Sequence, residues 1–412
     1  MNILLINHYA GSPEMGMEFR PYNFAKKWVE MGHKVTIIAG DYSHLRIYNP
    51  EINEDFEEHN LKGINYCWVK SGKYNNNGLK RAFSIFRFVN KLFLNARKIA
   101  ERFSPDVVIA SSTYPLDTYP AQKISKIAEA KYIHEVHDMW PSSLYEVGGM
   151  SKKHPFVKII QIAEDEAYKS CDALISLAPY TLDYMRQHGL DEYKFNNIQN
   201  GIDEDEWKTY KMIPQKHKEL FSRINDKFVV GYFGGHAISN ALDTLLDVAI
   251  EIDDPDIVFV LVGKGMQKNR LIQRVENERI DNVVFLPPVE KSAIPDLLTY
   301  FDISYIGGNP SPLYRFGLCI NKMYDSMMGG LPIVCAITAP NTLIDECGCG
   351  LMVDSNKISD ITSAIRKIKN LDEKERKDMG QRGKKLILEK YTYEKLSQKY
   401  LRILEAQVIG EK

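Results

Sequence analysis

The chain has 412 residues, with 53 lysines and arginines against 54 aspartates and glutamates, and a formal net charge of -1 at pH 7. Hydrophobic residues make up 44% of it and charged residues 26%, which is typical of folded globular proteins and excludes a disordered, collagen-like or coiled-coil chain. Because a single hydrophobic core stops growing at roughly 250–300 residues, this length predicts more than one domain. The near-neutral charge argues against a protein whose whole surface binds nucleic acid.

The start of the chain and its cysteines indicate the compartment. The first apolar run is too short for a signal peptide and lacks a basic start, and no stretch reaches the roughly 18 apolar residues that span a bilayer. Cys347 and Cys349 form a C-x-C pair, but no second pair or histidine cluster accompanies them. Ordinary reduced thiols are therefore favoured over a metal site, and we expect a cytoplasmic protein.

Short β-branched runs alternate with helical patterns through the first half of the chain. Strands are predicted at 2–7, 34–39, 106–110, 131–136 and 173–177. Helices are predicted between them at 19–32, 79–103, 116–130 and 156–170. Gly32 is suited to the end of the first helix. This alternation predicts a parallel, doubly wound sheet.

The segment 79–103 combines an apolar stripe at helical spacing with positive charge. Its cations are Lys80, Arg81, Arg87, Lys91, Arg97, Lys98 and Arg102. A single acid, Glu101, opposes them. Two interpretations remain open: a surface helix that packs its stripe on the core, which the pattern alone favours, and an amphipathic helix on an anionic membrane surface.

The same alternation restarts in the second half. Strands are predicted at 227–233, 256–262, 282–286, 303–306 and 332–335. Helices are predicted at 240–252, 265–278, 292–299, 321–328, 358–369 and 393–408, and a polar link lies near 202–226. We therefore expect domains at 1–202 and 203–390, with a terminal helix at 391–412 that packs back on the first domain. Two such sheets predict a cleft with ligands at the carboxyl ends of the strands, which favours group transfer over simple binding.

Glycine-rich loops follow the first strand of each half. Gly11 and Gly16 come after the first strand of the chain, and Gly234 and Gly235 come after the first strand of the second half. Such loops let backbone N–H groups approach an anion at a helix N-terminus. The first loop lacks the G-x-G-x-x-G spacing, so a nicotinamide dinucleotide is disfavoured, and a flexible turn is the alternative interpretation.

Two further segments carry cations where a phosphate would bind. Lys264 and Lys268 follow the next strand of the second half. Asn321 is predicted to cap a helix that carries Lys322 and Asp325 in its first turns, with Arg315 shortly before it. A helix start flanked by cations favours a phosphate group. Asp325 can accept hydrogen bonds from both hydroxyls of a ribose.

Several short motifs agree in order and spacing with one known family. They lie at 9–21, 32–36, 135–141, 199–203, 232–235, 262–265, 285–287, 321–325 and 330–334. Together they resemble the family 4 retaining glycosyltransferases. The resemblance extends over nearly the whole chain and is closest to the bacterial surface-polysaccharide branch that contains the N-acetyl-L-fucosamine transferases.

The resemblance implies the GT-B fold, in which two Rossmann-like, doubly wound α/β domains face each other across a cleft. The first domain would bind the acceptor and the second the nucleotide sugar. His137 would contact the donor sugar as a catalytic residue, and Asp138 would orient it or act on the acceptor hydroxyl. Glu18, Arg20 and Trp140 would contact the acceptor. The alternatives are a structural histidine, a helix cap at Glu18 and an ion pair at Arg20.

The family's two glutamates, eight positions apart, fall on Gly317 and Asp325, so backbone amides near Gly317 would replace the first carboxylate. The family's arginine and lysine after the first loop of the second domain fall on Gly235 and Asn240. Positive charge must then come from elsewhere. The implied donor-binding residues are Gly16, Gly234, Gly235, Lys264, Lys268, Arg315, Gly317, Leu318, Asn321, Lys322 and Asp325.

The same resemblance implies no metal and no other cofactor. It implies a UDP-sugar donor, with an N-acetylated hexosamine or deoxyhexosamine as the sugar, and a lipid-linked or saccharide acceptor in O-antigen or capsule synthesis. We also expect a peripheral position at the inner face of the cytoplasmic membrane through helix 79–103, and no nucleic-acid partner. Two alternatives share the fold: a nucleotide-sugar 2-epimerase, and a non-catalytic nucleotide-sugar-binding subunit, which Gly317 keeps open.

Overall fold

The computed structural model describes residues 1–17, 19–74, 78–340 and 342–410. They form two compact units, one of residues 1–199 with 393–412 and one of residues 200–392. The sequence predicted divisions after residues 202 and 390, and the structure has them after 199 and 392. In the described part of the chain no helix is long and apolar enough to cross a bilayer.

The first unit is built on an eight-stranded sheet with the order β3-β4-β2-β1-β5-β6-β7-β8. Its strands are β1 (Asn2–Ile6), β2 (Lys34–Gly40), β3 (Glu57–Leu61), β4 (Ile64–Val69), β5 (Val107–Ala110), β6 (Lys131–Val136), β7 (Ala173–Ser176) and β8 (Phe195–Asn197). Its helices up to that point are α1 (Phe19–Glu30), α2 (Leu79–Leu94), α3 (Ala96–Phe103), α4 (Thr118–Ala128), α5 (Ser142–Glu146), α6 (Pro155–Ser170) and α7 (Leu182–Gln187). All pairings are parallel except that of β3 with β4.

A parallel strand that is buried on both faces is apolar at nearly every position and does not alternate with polar residues. The central strands are therefore continuous apolar runs, and the sequence predicted them. The hairpin of β3 and β4 and the short edge strand β8 were not predicted. β3 reads EEHNL, and its residues are only partly buried or exposed, so it carries no apolar run. Polar edge strands of this kind limit unwanted pairing with other chains.

The helix predicted at 79–103 is two helices, α2 and α3, which corrects the single-helix prediction. They are separated at Asn95, whose backbone has φ -98° and ψ 12°. The Asn95 side-chain amide donates to the carbonyl of Lys91 at 2.8 Å. Such a local bond competes with regular helix geometry, which accounts for the break at this residue.

The second unit is built on a six-stranded parallel sheet with the order β11-β10-β9-β12-β13-β14. Its strands are β9 (Phe228–Gly235), β10 (Ile257–Lys264), β11 (Val283–Leu286), β12 (Ile303–Gly307), β13 (Ile333–Ala336) and β14 (Gly350–Val353). Its helices are α8 (Glu204–Lys208), α9 (Gln215–Arg223), α10 (Leu242–Ile252), α11 (Lys268–Glu278), α12 (Ile294–Leu298), α13 (Asn321–Met328), α14 (Leu343–Cys347), α15 (Ile358–Lys369) and α16 (Glu373–Lys390). The stretch predicted as a polar link therefore contains α8 and α9.

The last helix, α17 (Tyr393–Ile409), belongs to the first unit and packs on α1. The Phe24 ring lies 5.3 Å, centroid to centroid, from each of Tyr393 and Tyr400, in edge-to-face geometry. The Trp28 indole N–H donates to the carbonyl of Ser397 at 3.4 Å. Offset and edge-to-face aromatic pairs stabilise such a contact beyond the area that they bury.

Both sheets reverse their strand order beside their first strand. β1 lies between β2 and β5, and β9 lies between β10 and β12. At such a switch point the loops after the two central strands diverge and leave a crevice in which ligands bind. The predicted class of two Rossmann-like, doubly wound α/β domains is confirmed, and the loops after β1, β5, β9 and β12 are where a site is expected.

Candidate functional site

His137, at the carboxyl end of β6, belongs to a small hydrogen-bonded cluster. Its Nε2 lies 2.8 Å from the Oγ of Ser111, which follows β5, and 3.1 Å from the Oε2 of Glu135. The Ser111 hydroxyl donates to the same carboxylate oxygen at 2.6 Å. Since both neighbours can accept from it, Nε2 is assigned as a proton-bearing nitrogen of the ring. In the neutral imidazole Nδ1 is then an acceptor, suited to a hydroxyl group of a ligand.

Glu135 is held by a buried ion pair with Arg20 of α1. The guanidinium donates to the Oε1 of Glu135 at 3.2 and 2.9 Å, and to the carbonyls of Ile198 and Gln199 at 2.8 Å each. Burial alone would raise the pKa of Glu135, but the charge of Arg20 and the hydrogen bonds from His137 and Ser111 hold it below its ordinary value. Glu135 is therefore a carboxylate that fixes the ring of His137.

Arg20 was predicted as an acceptor contact, and this role stays a prediction. Its side chain is 6% exposed, and its four N–H···O bonds to Glu135 and to the two backbone carbonyls lie inside the unit. These bonds orient the carboxylate of Glu135. Glu135 lies in the mostly apolar strand KYIHEV. Because buried charges are usually paired, its position was the sequence signal that a cationic partner exists.

The other predicted residues of the first unit lie nearby or outside the described residues. Asp138 is exposed, immediately after His137. Trp140 is partly buried against Tyr114 and Phe156, and its peptide bond to the following proline is cis. The Arg81 guanidinium lies 5.8 Å from a Trp140 ring centroid. Glu18 lies outside the described residues.

Gly16 ends a short 3-10 turn (Pro13–Met15) in the loop after β1. Its φ of 86° is in the left-handed region, and a Cβ there would come within 2.7 Å of the Ile47 side chain. Both the conformation and the space require glycine at this position.

In the second unit, the side chain of Lys322 lies beside Gly234, at the carboxyl end of β9 rather than in a loop after it as the sequence predicted. Its Nζ donates to the Tyr232 hydroxyl and to the Oδ1 of Asn240, each at 3.0 Å. A Cβ on Gly234, whose φ is 129°, would lie 3.3 Å from the Lys322 side chain. Burial lowers the pKa of Lys322 to about 8. No carboxylate within the described ranges forms an ion pair with this cation, which is unusual for a desolvated lysine.

The other predicted cations are placed differently. Lys268 donates to the carbonyls of Gly263 and Leu286 at 2.7 and 2.6 Å, so it links the ends of β10 and β11. Lys264 is exposed at the end of β10. Arg315 is also exposed. Its guanidinium donates to the Pro312 carbonyl at 2.6 Å and lies 4.2 Å from the centroid of the neighbouring Phe316 ring.

The loop after β9 also contains a buried histidine that the sequence did not single out. Both ring nitrogens of His236 are buried without a hydrogen-bond partner in the described part of the chain. Burial, followed by the charges of Lys268 and Lys322, lowers its pKa to about 4. Gly235, the exposed last residue of β9, precedes this histidine, and its carbonyl accepts from the Asn240 side chain at 2.8 Å.

Gly317 lies where the family resemblance expects a glutamate. Its backbone has φ 91° and ψ 178°, a conformation that is essentially restricted to glycine. Its amide donates to the carbonyl of Tyr314 at 3.0 Å. The side chain of Leu318 is buried in the core of the unit. The carboxylate has thus been replaced by a turn that no glutamate would adopt without strain.

The predicted cap of α13 is wrong by one residue. Ile320 is the N-cap, and Asn321 is the first helical residue. The Oδ1 of Asn321 accepts from the Asn200 side chain at 3.0 Å, and no side chain caps this helix start. The extended backbone of Ile320 (φ -96°, ψ 122°) begins the helix there. The Met323 amide donates to the Ile320 carbonyl at 2.9 Å, and among the described residues the N-cap side chain satisfies none of the first-turn amides, as at helix starts that bind anions.

Asp325 is buried on α13 and already has a cationic partner. Both of its oxygens accept from the Nζ of Lys291, at 2.6 and 2.8 Å. Its side chain is 6% exposed, whereas that of Lys291 is 38% exposed. Lys291 was not predicted, because no local sequence pattern joins two residues 34 positions apart.

Comparison with known families decides the class of the protein. A family model described as Glycosyltransferase Family 4 matches residues 15–206, and one described as Glycosyl transferases group 1 matches residues 215–386. The chain is a family 4 type glycosyltransferase. No curated protein matches its sequence.

Solved structures resemble this glycosyltransferase over its whole length. The sucrose-phosphate synthase of Thermosynechococcus elongatus shares 14% identity with a TM-score of 0.74, and the match covers 100% of both chains. HepE of Anabaena in complex with UDP shares 16% identity with a TM-score of 0.67, over 98% of this chain and 100% of its own. WaaG, a glycosyltransferase involved in lipopolysaccharide biosynthesis, shares 13% identity with a TM-score of 0.65, over 98% and 99%. The predicted GT-B fold is confirmed, whereas the N-acetyl-L-fucosamine transferase branch stays a prediction.

Proposed function

We propose that this glycosyltransferase moves a sugar from a nucleotide diphosphate donor, with retention of configuration, to a lipid-linked or saccharide acceptor. The observation that carries the proposal is the desolvated ammonium of Lys322 above Gly234, at the carboxyl end of the first strand of the second sheet. A partly buried cation beside the glycines at a strand end is suited to a diphosphate. HepE of Anabaena, which shares the fold, has been solved with UDP and with UDP-glucose, which supports UDP as the donor nucleotide.

The chemistry follows from the charge that develops on the leaving group. As the bond to the sugar breaks, negative charge grows on the β-phosphate, and fixed donors stabilise it without reorganisation. Lys322 and the uncapped amides at the start of α13 are such donors. Lys268 and Arg315 add positive charge to the same unit. We propose that this set replaces a metal ion, so that transfer is metal-independent.

His137 is proposed to accept a hydrogen bond from a hydroxyl of the transferred sugar. Its Nε2 is engaged by Ser111 and Glu135, so Nδ1 is the nitrogen that a ligand would meet. Asp138, exposed beside it, is proposed to act on the acceptor hydroxyl. Trp140 supplies an aromatic face of the kind on which sugar rings pack.

A lipid-linked acceptor is supported by the surface of the first unit. Leu79, Phe83 and Leu94 of α2 are each more than two thirds exposed. The Phe86 ring of α2 lies 6.3 Å from that of Phe156 on α6, a helix that also exposes apolar side chains. α2 and α3 also carry basic residues, of which Lys91 and Arg102 form ion pairs with Asp55 and Glu58. We propose that this apolar surface binds the anionic inner face of the cytoplasmic membrane, in synthesis of a surface polysaccharide such as O-antigen or capsule.

The test is transfer by the purified chain from UDP-sugars, including UDP-linked N-acetylated hexosamines, to lipid-linked saccharides. We expect a glycosylated acceptor whose new linkage keeps the donor's anomeric configuration, as read by NMR, and equal rates with and without EDTA. A donor that is epimerised at C2 in the absence of acceptor would indicate the epimerase instead. Donor binding without transfer to any acceptor would contradict the proposal and favour a binding subunit.

A further inference from the structure

The ion pair of Lys291 and Asp325 lies on the helix that carries Lys322. Asp325 comes one helical turn after Lys322 on α13, and Lys291 lies in a 3-10 turn (Lys291–Ala293) that follows β11. The contact is bidentate, with one N–H···O bond to each carboxylate oxygen. The carboxylate is buried, while part of the lysine side chain reaches solvent. Two segments far apart in the chain thus meet at one carboxylate.

The geometry leaves a defined set of acceptor positions on Asp325. An ionised carboxylate has about four lone-pair positions, two on each oxygen. Lys291 occupies one position on each oxygen, so one remains on each. Two acceptor positions on adjacent oxygens match two hydroxyls on neighbouring carbons, which is the arrangement of the 2′ and 3′ hydroxyls of a ribose.

Without Lys291 this arrangement would not persist. A buried carboxylate without a counter-ion is strongly disfavoured, and it would protonate or rotate toward solvent. A protonated carboxyl loses acceptor capacity, and a rotated one loses its alignment with a diol. Lys291 therefore fixes the orientation of Asp325.

We propose that Lys291 is a positioning residue for the donor nucleotide, and that it acts through Asp325 by holding the two free acceptor positions toward the ribose hydroxyls. This inference rests on the proposed function, since it requires a nucleotide donor. It assigns to Lys291 a part in discriminating ribonucleotides from deoxyribonucleotides, rather than a direct contact with the phosphates.

The test compares UDP with 2′-deoxy-UDP by isothermal titration calorimetry on the whole chain, with GDP and 2′-deoxy-GDP as a second pair. The wild type is expected to bind the ribonucleotide about tenfold more tightly than its deoxy form, since a hydrogen bond to a charged group is lost. Lys291→Met should weaken the ribonucleotide more than the deoxynucleotide, which keeps only the 3′ hydroxyl, so that the roughly tenfold preference for the ribonucleotide is lost. Lys291→Arg should retain the discrimination, because arginine also donates bidentately.

A matched control is Lys211→Met, which breaks an exposed pair with Glu290, next to Lys291 in sequence. It should leave both affinities unchanged, and thermal unfolding of each variant shows whether it is folded. If Lys291→Met weakens the ribo and deoxy forms equally, the lysine acts on the phosphates and the inference is wrong. The inference is also wrong if Lys291→Met loses no affinity for either the ribonucleotide or the deoxynucleotide. If the wild type binds none of the four nucleotides, the proposed function fails, and this inference fails with it.

Discussion

The ammonium of Lys322 lies 3.0 Å from the Oδ1 of Asn240, so a positive charge reaches the loop after β9 from helix α13. The family resemblance places a lysine at position 240 itself, where this chain has asparagine. The charge is therefore present at this loop, but it is supplied by another element. Under the proposed function, this exchange would supply the positive charge that a diphosphate requires in a chain without the usual basic residues after β9.

Removing this charge should weaken donor binding. We expect Lys322→Met to reduce kcat/KM for the donor about 10- to 100-fold, because a charge-assisted hydrogen bond contributes about 1.5–3 kcal/mol. Steady-state kinetics with varied donor measure the effect. Lys385→Met, on the exposed face of α16, is the matched control and should keep wild-type kinetics. Full donor affinity in Lys322→Met would rule out its role at the diphosphate.

His137 should act on the transfer step rather than on nucleotide binding. His137→Ala is expected to lower kcat by at least about 100-fold, in the range of positioned catalytic side chains, while the affinity for UDP stays within about twofold. Transfer assays and calorimetry separate the two quantities. A variant that transfers at the wild-type rate would contradict the assignment.

The ion pair of Arg20 and Glu135 should be essential for stability. We expect Arg20→Met to lower the free energy of unfolding by about 3–5 kcal/mol, because it leaves a buried carboxylate without its partner. Denaturant unfolding followed by fluorescence measures this loss. The double variant with Glu135→Gln should recover part of it, since no charge then remains buried. A single variant as stable as the wild type would show that the pair contributes little.

Two buried carboxyls predict how stability depends on pH. Burial raises the pKa of Asp117 to about 7 and that of Glu164 to about 8, each above its value in the unfolded chain. At these two carboxyls the folded state binds more protons than the unfolded state between about pH 5 and 8, so their contribution to stability falls as pH rises through that window. Buried histidines such as His236, whose pKa is lowered, contribute in the opposite direction below about pH 6.5. Each group contributes a slope of up to about 1.4 kcal/mol per pH unit.

Unfolding free energies measured from pH 5 to pH 8 test this dependence. Asp117→Asn should flatten the slope, whereas Asp378→Asn, at an exposed position of α16, should not. An unchanged slope in the Asp117 variant would show that this carboxyl does not titrate in the window.

The exposed surface of α2 should bind anionic vesicles. We expect the wild type to sediment with vesicles that contain phosphatidylglycerol, and binding to fall with added salt because it is partly electrostatic. Phe83→Ser and Arg87→Glu should each reduce it. Ile250→Ser, which removes an exposed apolar side chain from α10, is the control and should leave vesicle binding unchanged. Absence of binding at every salt concentration would contradict membrane docking.

Much of the fold could be predicted from the sequence, because buried parallel strands are continuous apolar runs. Of the strands that were missed, β3 and β8 are polar or short and lie at sheet edges, where burial leaves little pattern. β4 (INYCWV) is mostly buried and apolar, so its pattern was present in the sequence and was overlooked. At the site, residue types were predicted but their partners were not. Arg20 with Glu135 and Lys291 with Asp325 join distant segments, and no local spacing encodes such a pair. The turn at Gly317 likewise depends on its positive φ. A glycine in the sequence permits such an angle but does not show that the chain adopts it.

The return of α17 to the first unit has a consequence for the order in which the protein is made. The second unit, residues 200–392, is an insertion within the first, because the chain leaves the first unit after residue 199 and re-enters it at residue 393. On the ribosome, Phe24 and Trp28 of α1 are synthesised long before the helix that covers them. The second unit can complete its sheet during synthesis, whereas the apolar face of α1 stays uncovered until α17 has been synthesised. Before that point, this face is a target for chaperones.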